Sequence, residues 1–137
     1  MITVLVPRGG DCPDRARAWE WCARYYDGME IVEGWASTDP WSKAIAVHEA
    51  LQHASGDLLV IADADVYAPG LPEAIAAVES GDHRWACPHR QVRRLHASST
   101  RAVYDGAPFD LKSRLAKPAY TCVIGGGITV IARDVYE

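Results

Sequence analysis

Residues 58–62, Leu-Leu-Val-Ile-Ala, are apolar at every position. They lie between the turn residues Ser55-Gly56-Asp57 and the acidic stretch Asp63-Ala64-Asp65. A short run with no polar alternation is the pattern of a strand buried on both faces, as at the centre of a parallel sheet. The two carboxylates then fall at or just beyond the carboxyl end of that strand, where open α/β sheets bind ligands. If extended geometry persists there, residues i and i+2 point the same way. Two carboxylates on one side repel unless a cation or a proton intervenes. Hard oxygen ligands favour Mg²⁺ or Mn²⁺, and Mg²⁺ characteristically takes one or two carboxylates with phosphate oxygens in other positions. The plainer reading is that Asp is also a common turn and helix-cap residue.

The rest of the first half alternates around this strand. Residues 2–6, Ile-Thr-Val-Leu-Val, read as a first strand that Pro7-Arg8-Gly9-Gly10 stops. Asp11 or Asp14 can cap the following helix, with Pro13 in its first turn, and Ala18, Cys22, Tyr25 and Tyr26 form its apolar stripe. Asp27-Gly28 ends it. Residues 29–34 form a second strand, and the loop after it contains Trp35. Thr38 or Asp39 can cap the next helix, with Pro40 at its first position. Trp41, Ala44, Ile45, His48 and Leu51 then recur at helical spacing through residue 54. The order β-α-β-α-β argues for an α/β fold with a parallel sheet, in which the first and third strands are neighbours.

Beyond the acidic pair, residues 71–78 predict a helix and residues 85–87 a short strand. The pattern then degrades through a basic stretch, Arg90, Arg93 and Arg94 with His89 and His96, and through residues 98–119. It returns as two strands, residues 120–124 and 128–132, around Gly125-Gly126-Gly127. Glycines so placed let the backbone approach a neighbour closely or bend sharply. Residues 133–137 open a helix. With 137 residues the chain is expected to form one domain over 1–137 with one core. A formal net charge of −4 gives no support for nucleic-acid binding. No apolar run is long enough to span a bilayer and no signal segment opens the chain, so a cytoplasmic location is expected. Cys12, Cys22, Cys87 and Cys122 show no C-x-x-C spacing and read as free thiols.

Taken in order, these parts resemble the front, donor-binding part of a family 2 glycosyltransferase of the GT-A fold. The resemblance rests on Val4-Leu5-Val6-Pro7 before a helix and on Ser42-Lys43-Ala44-Ile45-Ala46. It rests further on Ala54-Ser55-Gly56-Asp57 with its apolar strand, on Asp63-Ala64-Asp65 as a DXD motif, and on Gly125-Gly126-Gly127-Ile128 with Arg133. It implies a Rossmann-type three-layer α/β/α sandwich with a mostly parallel central sheet. It implies a nucleotide-diphosphate sugar donor, with a UDP-sugar favoured, and Mn²⁺ or Mg²⁺ as cofactor. It places Pro7, Arg8 and Glu33 (with Asp39 as an alternative) against base and ribose, and Lys43 near the donor. Asp63 faces ribose or donor sugar with Ala64 beside it, and the metal falls to Asp65 together with Asp63. The chain departs from the family pattern at Val47-His48, where Arg-Asn is usual, and at Gly34-Trp35 after the second strand. No catalytic base is assigned. The family usually carries that base and its acceptor site farther along, so the chain reads as truncated at its C-terminus.

Two rival readings stand beside this one. The first is a non-catalytic nucleotide-sugar-binding domain, which shares the donor site and lacks turnover. The second is a nucleotidyltransferase, of whose basic Gly-rich loop Pro7-Arg8-Gly9-Gly10 is only an echo. The spacings of His83, Cys87, His89 and His96 match no common zinc pattern. His48 reads as a core or boundary residue, Trp41 as core, and Trp35 as a ring able to stack on a base or sugar.

Overall fold

A computed structural model of the chain describes residues 1–108, 115–121 and 127–137. The chain divides into two compact units, residues 1–88 with 126–137, and residues 89–125. The first contains β1 (Ile2–Arg8), α1 (Pro13–Cys22), a 3₁₀ turn (Ala23–Tyr26), β2 (Glu30–Trp35) and α2 (Lys43–Leu51). It continues with β3 (Leu58–Ala62), α3 (Leu71–Glu79), β4 (Trp85–Ala86), β7 (Ile128–Ala132) and α5 (Arg133–Tyr136). The second contains β5 (Gln91–Val92), α4 (Ala97–Tyr104) and β6 (Tyr120–Thr121). Among the described residues no helix is long and apolar enough to cross a membrane.

The sheet of the first unit has the order β2-β1-β3-β7-β4. β1 lies parallel to both β2 and β3, while β7 runs antiparallel to its neighbours β3 and β4. The sheet is therefore mixed, with a parallel core of β2, β1 and β3. Alternation along the strands divides the interior in two. Val4, Val6, Val60, Ala62 and Val130 pack with Trp19, Cys22, Leu71, Ile75 and Val78, which places α1 and α3 on one face. Leu5 and Leu59 pack with Val47, Ala50 and Leu51, with Tyr136 alongside, which places α2 and α5 on the other. The expected three-layer α/β/α arrangement and the neighbouring first and third strands are both present.

Several boundaries differ from the sequence reading. β1 continues through Pro7 to Arg8 because β3 pairs with it only as far as Leu5↔Ile61. Past that point a proline has just one neighbour to satisfy, and Pro7 pairs with Gly34 of β2. β2 likewise runs one residue farther, to Trp35. The predicted first helix tightens into a 3₁₀ turn after Cys22, and Trp19 rather than Tyr25 is buried on its inner face. α2 begins at Lys43, and its cap is Ser42, whose hydroxyl accepts the Ile45 amide at 3.4 Å, rather than Thr38 or Asp39. Its buried stripe is Ala46, Val47, Ala50 and Leu51, whereas Trp41, Ile45 and His48 are exposed. Two apolar stripes are legible in this helix, and the small residues win because β2 lies close against them.

Gly34 shows how close. A Cβ built there would lie 1.9 Å from the Ala46 carbonyl oxygen and 2.8 Å from the Ala50 Cβ. The second unit is smaller: β5 pairs antiparallel with β6, Leu95 bridges Leu115, and His96 caps α4 by accepting the Ser98 amide. Cys12 and Cys22 are free thiols, and the Cys87 thiol donates to the Ile128 carbonyl at 3.6 Å. Cys122, residues 123–124 and the first two glycines of the triplet lie outside the described residues. Gly127 is described and has φ of 103°, a conformation that favours glycine.

The amino edge of the sheet is held by a polar network. The Thr3 hydroxyl donates to Glu30 and accepts the Gly56 amide at 2.8 Å. Glu30 also accepts the Ser55 amide at 2.9 Å and the Ser55 hydroxyl at 2.7 Å. The Thr3 bond, then the Ser55 amide and hydroxyl, lower the Glu30 pKa from 4.5 to about 2. A carboxyl group lowered on folding stabilises the fold above its unfolded pKa and loses that contribution as it becomes protonated.

Two stability outcomes follow. Gly34→Ala has to push α2 off β2, and we expect a loss of about 1–3 kcal/mol in denaturant unfolding, the usual range for overpacking; an unchanged midpoint would contradict the packing described. Glu30→Gln lowers the melting temperature above pH 4.5, and the gap to wild type closes as pH falls toward 2. Thermal melts across that window read the difference directly, and a gap that widens on acidification would contradict it.

Candidate active site

Because β1, β2 and β3 are parallel, their carboxyl ends reach one edge of the sheet together. Arg8 closes β1, and its Nε lies 3.4 Å from Glu33 on β2. The other Glu33 oxygen accepts the Trp19 indole N–H at 2.9 Å, which ties the pair to α1. The Arg8 guanidinium stands 5.3 Å from the Trp35 ring centroid, within cation–π range. Its Nη1 is buried and has no hydrogen-bond partner among the described residues. The Trp41 indole N–H donates to the Arg8 carbonyl at 3.1 Å. The ring lies so close to Gly9 that a Cβ there would be 2.0 Å from Trp41 Nε1. Trp41 is therefore a brace on the loop after β1 rather than a core residue.

Asp63 and Asp65 follow β3 immediately, but the extended geometry that would align them ends at Ala62. The Val66 amide bonds the Asp63 carbonyl at 3.3 Å, so Asp63-Ala64-Asp65-Val66 is a turn. The two carboxylates consequently find different partners. Asp63 has Lys43 Nζ, at the first residue of α2, 2.5 Å from Oδ1. Its Oδ2 accepts the Gly127 amide at 2.9 Å, and its own amide donates to the Gly127 carbonyl at 2.7 Å. Asp65 has Arg15 of α1 at 3.7 Å, with both side chains about half exposed. Ala64, between them, is 2% exposed and takes no polar part. The repulsion expected of two neighbouring acids is relieved by the turn and by two cations of the chain itself.

The charge at this edge reaches the layer below. Cys22 is pushed up to about 12, first by burial and then by the Asp65 carboxylate, so its thiol stays protonated. Tyr26 is raised as well, chiefly by burial, with Cys22 and then Asp63 adding to it. A cavity of about 350 Å³ lies on the same side of the sheet, lined by Cys22, Tyr25, Tyr26, Tyr67, Leu71 and Ile75 among others. None of the charged residues of the carboxyl edge lines it. The charged groups thus gather at the strand ends and not around this cavity.

As metal ligands the two acids are unequal. Asp65 offers hard, half-open oxygens, while both oxygens of Asp63 are already engaged. A hard cation such as Mg²⁺ or Mn²⁺, which completes its shell with phosphate and water, would find its open oxygens on Asp65. Among the described residues no three His, Cys, Asp or Glu side chains gather as a metal-holding group.

The structure brings Arg8 to Glu33 and Lys43 to Asp63, and places Pro7, buried, beside Gly34. Asp39 is exposed in the loop after β2, and no polar contact links it to these residues. Sequence reasoning missed Arg15, Trp19 and the Gly127 amide. Arg15 and Trp19 stand four residues apart on α1, a helical spacing that was visible but had no reason to be singled out. The glycine triplet does signal a close backbone approach, but that Gly127 approaches Asp63, 64 positions earlier, leaves no local signal.

The family model described as Glycosyl transferase family 2 matches residues 11–137, nearly the whole chain. No curated protein and no solved structure matches the chain. With a parallel core whose strand ends carry Arg8, Glu33 and the Asp63–Asp65 turn, and with that match over the sequence, the chain belongs to glycosyl transferase family 2.

Proposed function

We propose that the carboxyl edge of the sheet binds a nucleotide-diphosphate sugar together with Mn²⁺ or Mg²⁺, with a UDP-sugar the favoured donor, and transfers the sugar to an acceptor. The observation that carries this reading is the delivery of Arg8, Glu33 and the acidic turn to one edge by three adjacent parallel strands. Ligands of open α/β sheets bind outside such strand ends. Arg8, Glu33 and Pro7 line the nucleoside side. The buried, unpartnered Nη1 of Arg8 wants an acceptor atom, and Trp35, 54% exposed, offers a ring to stack against.

Lys43 and the acidic turn serve the diphosphate side. A lysine ammonium is a compact charge on a flexible stem, suited to a phosphate oxygen. Asp65 is the direct ligand of the cation, Asp63 stands between ribose, donor sugar and cation, and Ala64 spaces the two. A bound divalent cation stabilises the negative charge that develops on the diphosphate as the glycosidic bond breaks. The chain's own contribution is to hold the diphosphate and orient the sugar while the acceptor hydroxyl attacks. The family match supports the reaction class, and the strand-end geometry supports these residue roles.

Calorimetry with UDP, with and without Mn²⁺, tests the reading. We expect Mn²⁺ to strengthen UDP binding and Asp65→Ala to remove the metal-dependent part, a loss of about tenfold or more, or about 1.4 kcal/mol. Metal-dependent affinity that survives in Asp65→Ala would remove Asp65 from the site. Release of UDP from a UDP-sugar by the same chain separates turnover from binding alone.

A further inference from the structure

Of the two acids, Asp63 is the more firmly held. Its Oδ2 takes the Gly127 amide at 2.9 Å, and its own amide reaches the Gly127 carbonyl at 2.7 Å. Two bonds to one residue, one through the carboxylate and one through the backbone amide, fix Asp63 against the residue before β7. Its remaining partner is of a different kind. Lys43 Nζ stands 2.5 Å from Oδ1 at the end of a flexible four-carbon stem, and the lysine side chain is 38% exposed. An ammonium in contact with Oδ1 repels a divalent cation approaching the same oxygen. Of the two partners of Asp63, then, the backbone clamp is fixed and the lysine is free to leave. Arg15 does not shield Asp65 in the same way, because a 3.7 Å pair between half-exposed groups is weak and screened.

We propose that Lys43 is a resident counter-cation for Asp63 that the diphosphate of the donor draws away, so that donor and divalent cation bind with positive coupling through this side chain. The proposal rests on the donor-and-cation reading above. Without a nucleotide, Lys43 neutralises Asp63 and only Asp65 is open to a cation. A diphosphate brings several negative charges within reach of the ammonium. Lys43 moves onto a phosphate oxygen, and its ammonium no longer sits on Oδ1 of Asp63 to repel the cation. Only ion pairs are exchanged, and no covalent bond changes. By linkage, whatever the nucleotide adds to cation affinity the cation adds to nucleotide affinity.

The test is Mn²⁺ binding to the whole chain, followed by the electron paramagnetic resonance signal of the free ion, with and without saturating UDP. Wild type is compared with Lys43→Met, Lys43→Gln and Lys43→Arg, each checked for folding by circular dichroism. In wild type we expect weak Mn²⁺ binding that UDP strengthens about tenfold or more, about 1.4 kcal/mol of coupling. The two neutral variants bind Mn²⁺ alone more tightly than wild type and lose most of the UDP enhancement, leaving only what chelation by UDP itself supplies. Lys43→Arg keeps the wild-type pattern. Equal Mn²⁺ affinity in wild type and the neutral variants without UDP, or an enhancement they fully retain, overturns the counter-cation role while leaving the donor site intact. Mn²⁺ binding by none of the proteins, with or without UDP, overturns the cation reading and this proposal together. Persistent UDP binding in that case would keep the donor reading, and its loss would end that as well.

Discussion

Val4, Val6 and Val60 face one layer of helices while Leu5 and Leu59 face the other, and all five are fully buried. Burial of β1 and β3 on both sides is the condition on which the remaining arrangement depends. Each strand needs helices above and below, and the connections that supply them leave the strands parallel. Parallel strands end at the same edge. Arg8 and Glu33 are thereby neighbours in space although they are far apart in the chain, and Asp63 follows the adjacent strand at the same edge.

At that edge the chain supplies charges of both signs in pairs. Arg8 meets Glu33, Lys43 meets Asp63, and Arg15 lies toward Asp65. Such pairing lets several ionic groups share a partly buried rim without leaving any of the acids unpaired. The exception is the buried Nη1 of Arg8, which keeps unused donor capacity at the end of β1. The opposite edge uses polar groups differently. Thr3, Glu30, Ser55 and Gly56 satisfy one another there, and Arg133 donates to the carbonyls of Ala54 and Gly56. One end of the sheet is a closed network that holds strands together, and the other carries ion pairs.

Much of this was legible in the residues. The apolar run at 58–62 and the alternation before it are local signals, set by which side chains must leave water, and they held. Boundaries were less legible. Ser42 replaced Thr38 or Asp39 as the cap of α2, and Ala46, Val47 and Ala50 replaced Trp41, Ile45 and His48 as its buried stripe. Both stripes satisfy helical periodicity, and only the close approach of Gly34 selects the small one. The alignment of Asp63 with Asp65 failed for a similar reason. It assumed that the strand continued, and the pairing of β3 with β7 ends at Ala62↔Ile128, after which the chain turns.

By itself the sequence determined the class of fold, the order of its elements through the short strand at 85–87, and the acids and bases of the carboxyl edge other than Arg15. These follow from hydrophobic periodicity and from residue types placed at strand ends, and both are properties of short stretches. Tertiary structure alone decided which acid meets which base, that Trp19 bonds Glu33 and Gly127 bonds Asp63, and that the two acidic carboxylates part to different partners. Those outcomes depend on distances between residues tens of positions apart, which are set only when the helices settle on the sheet.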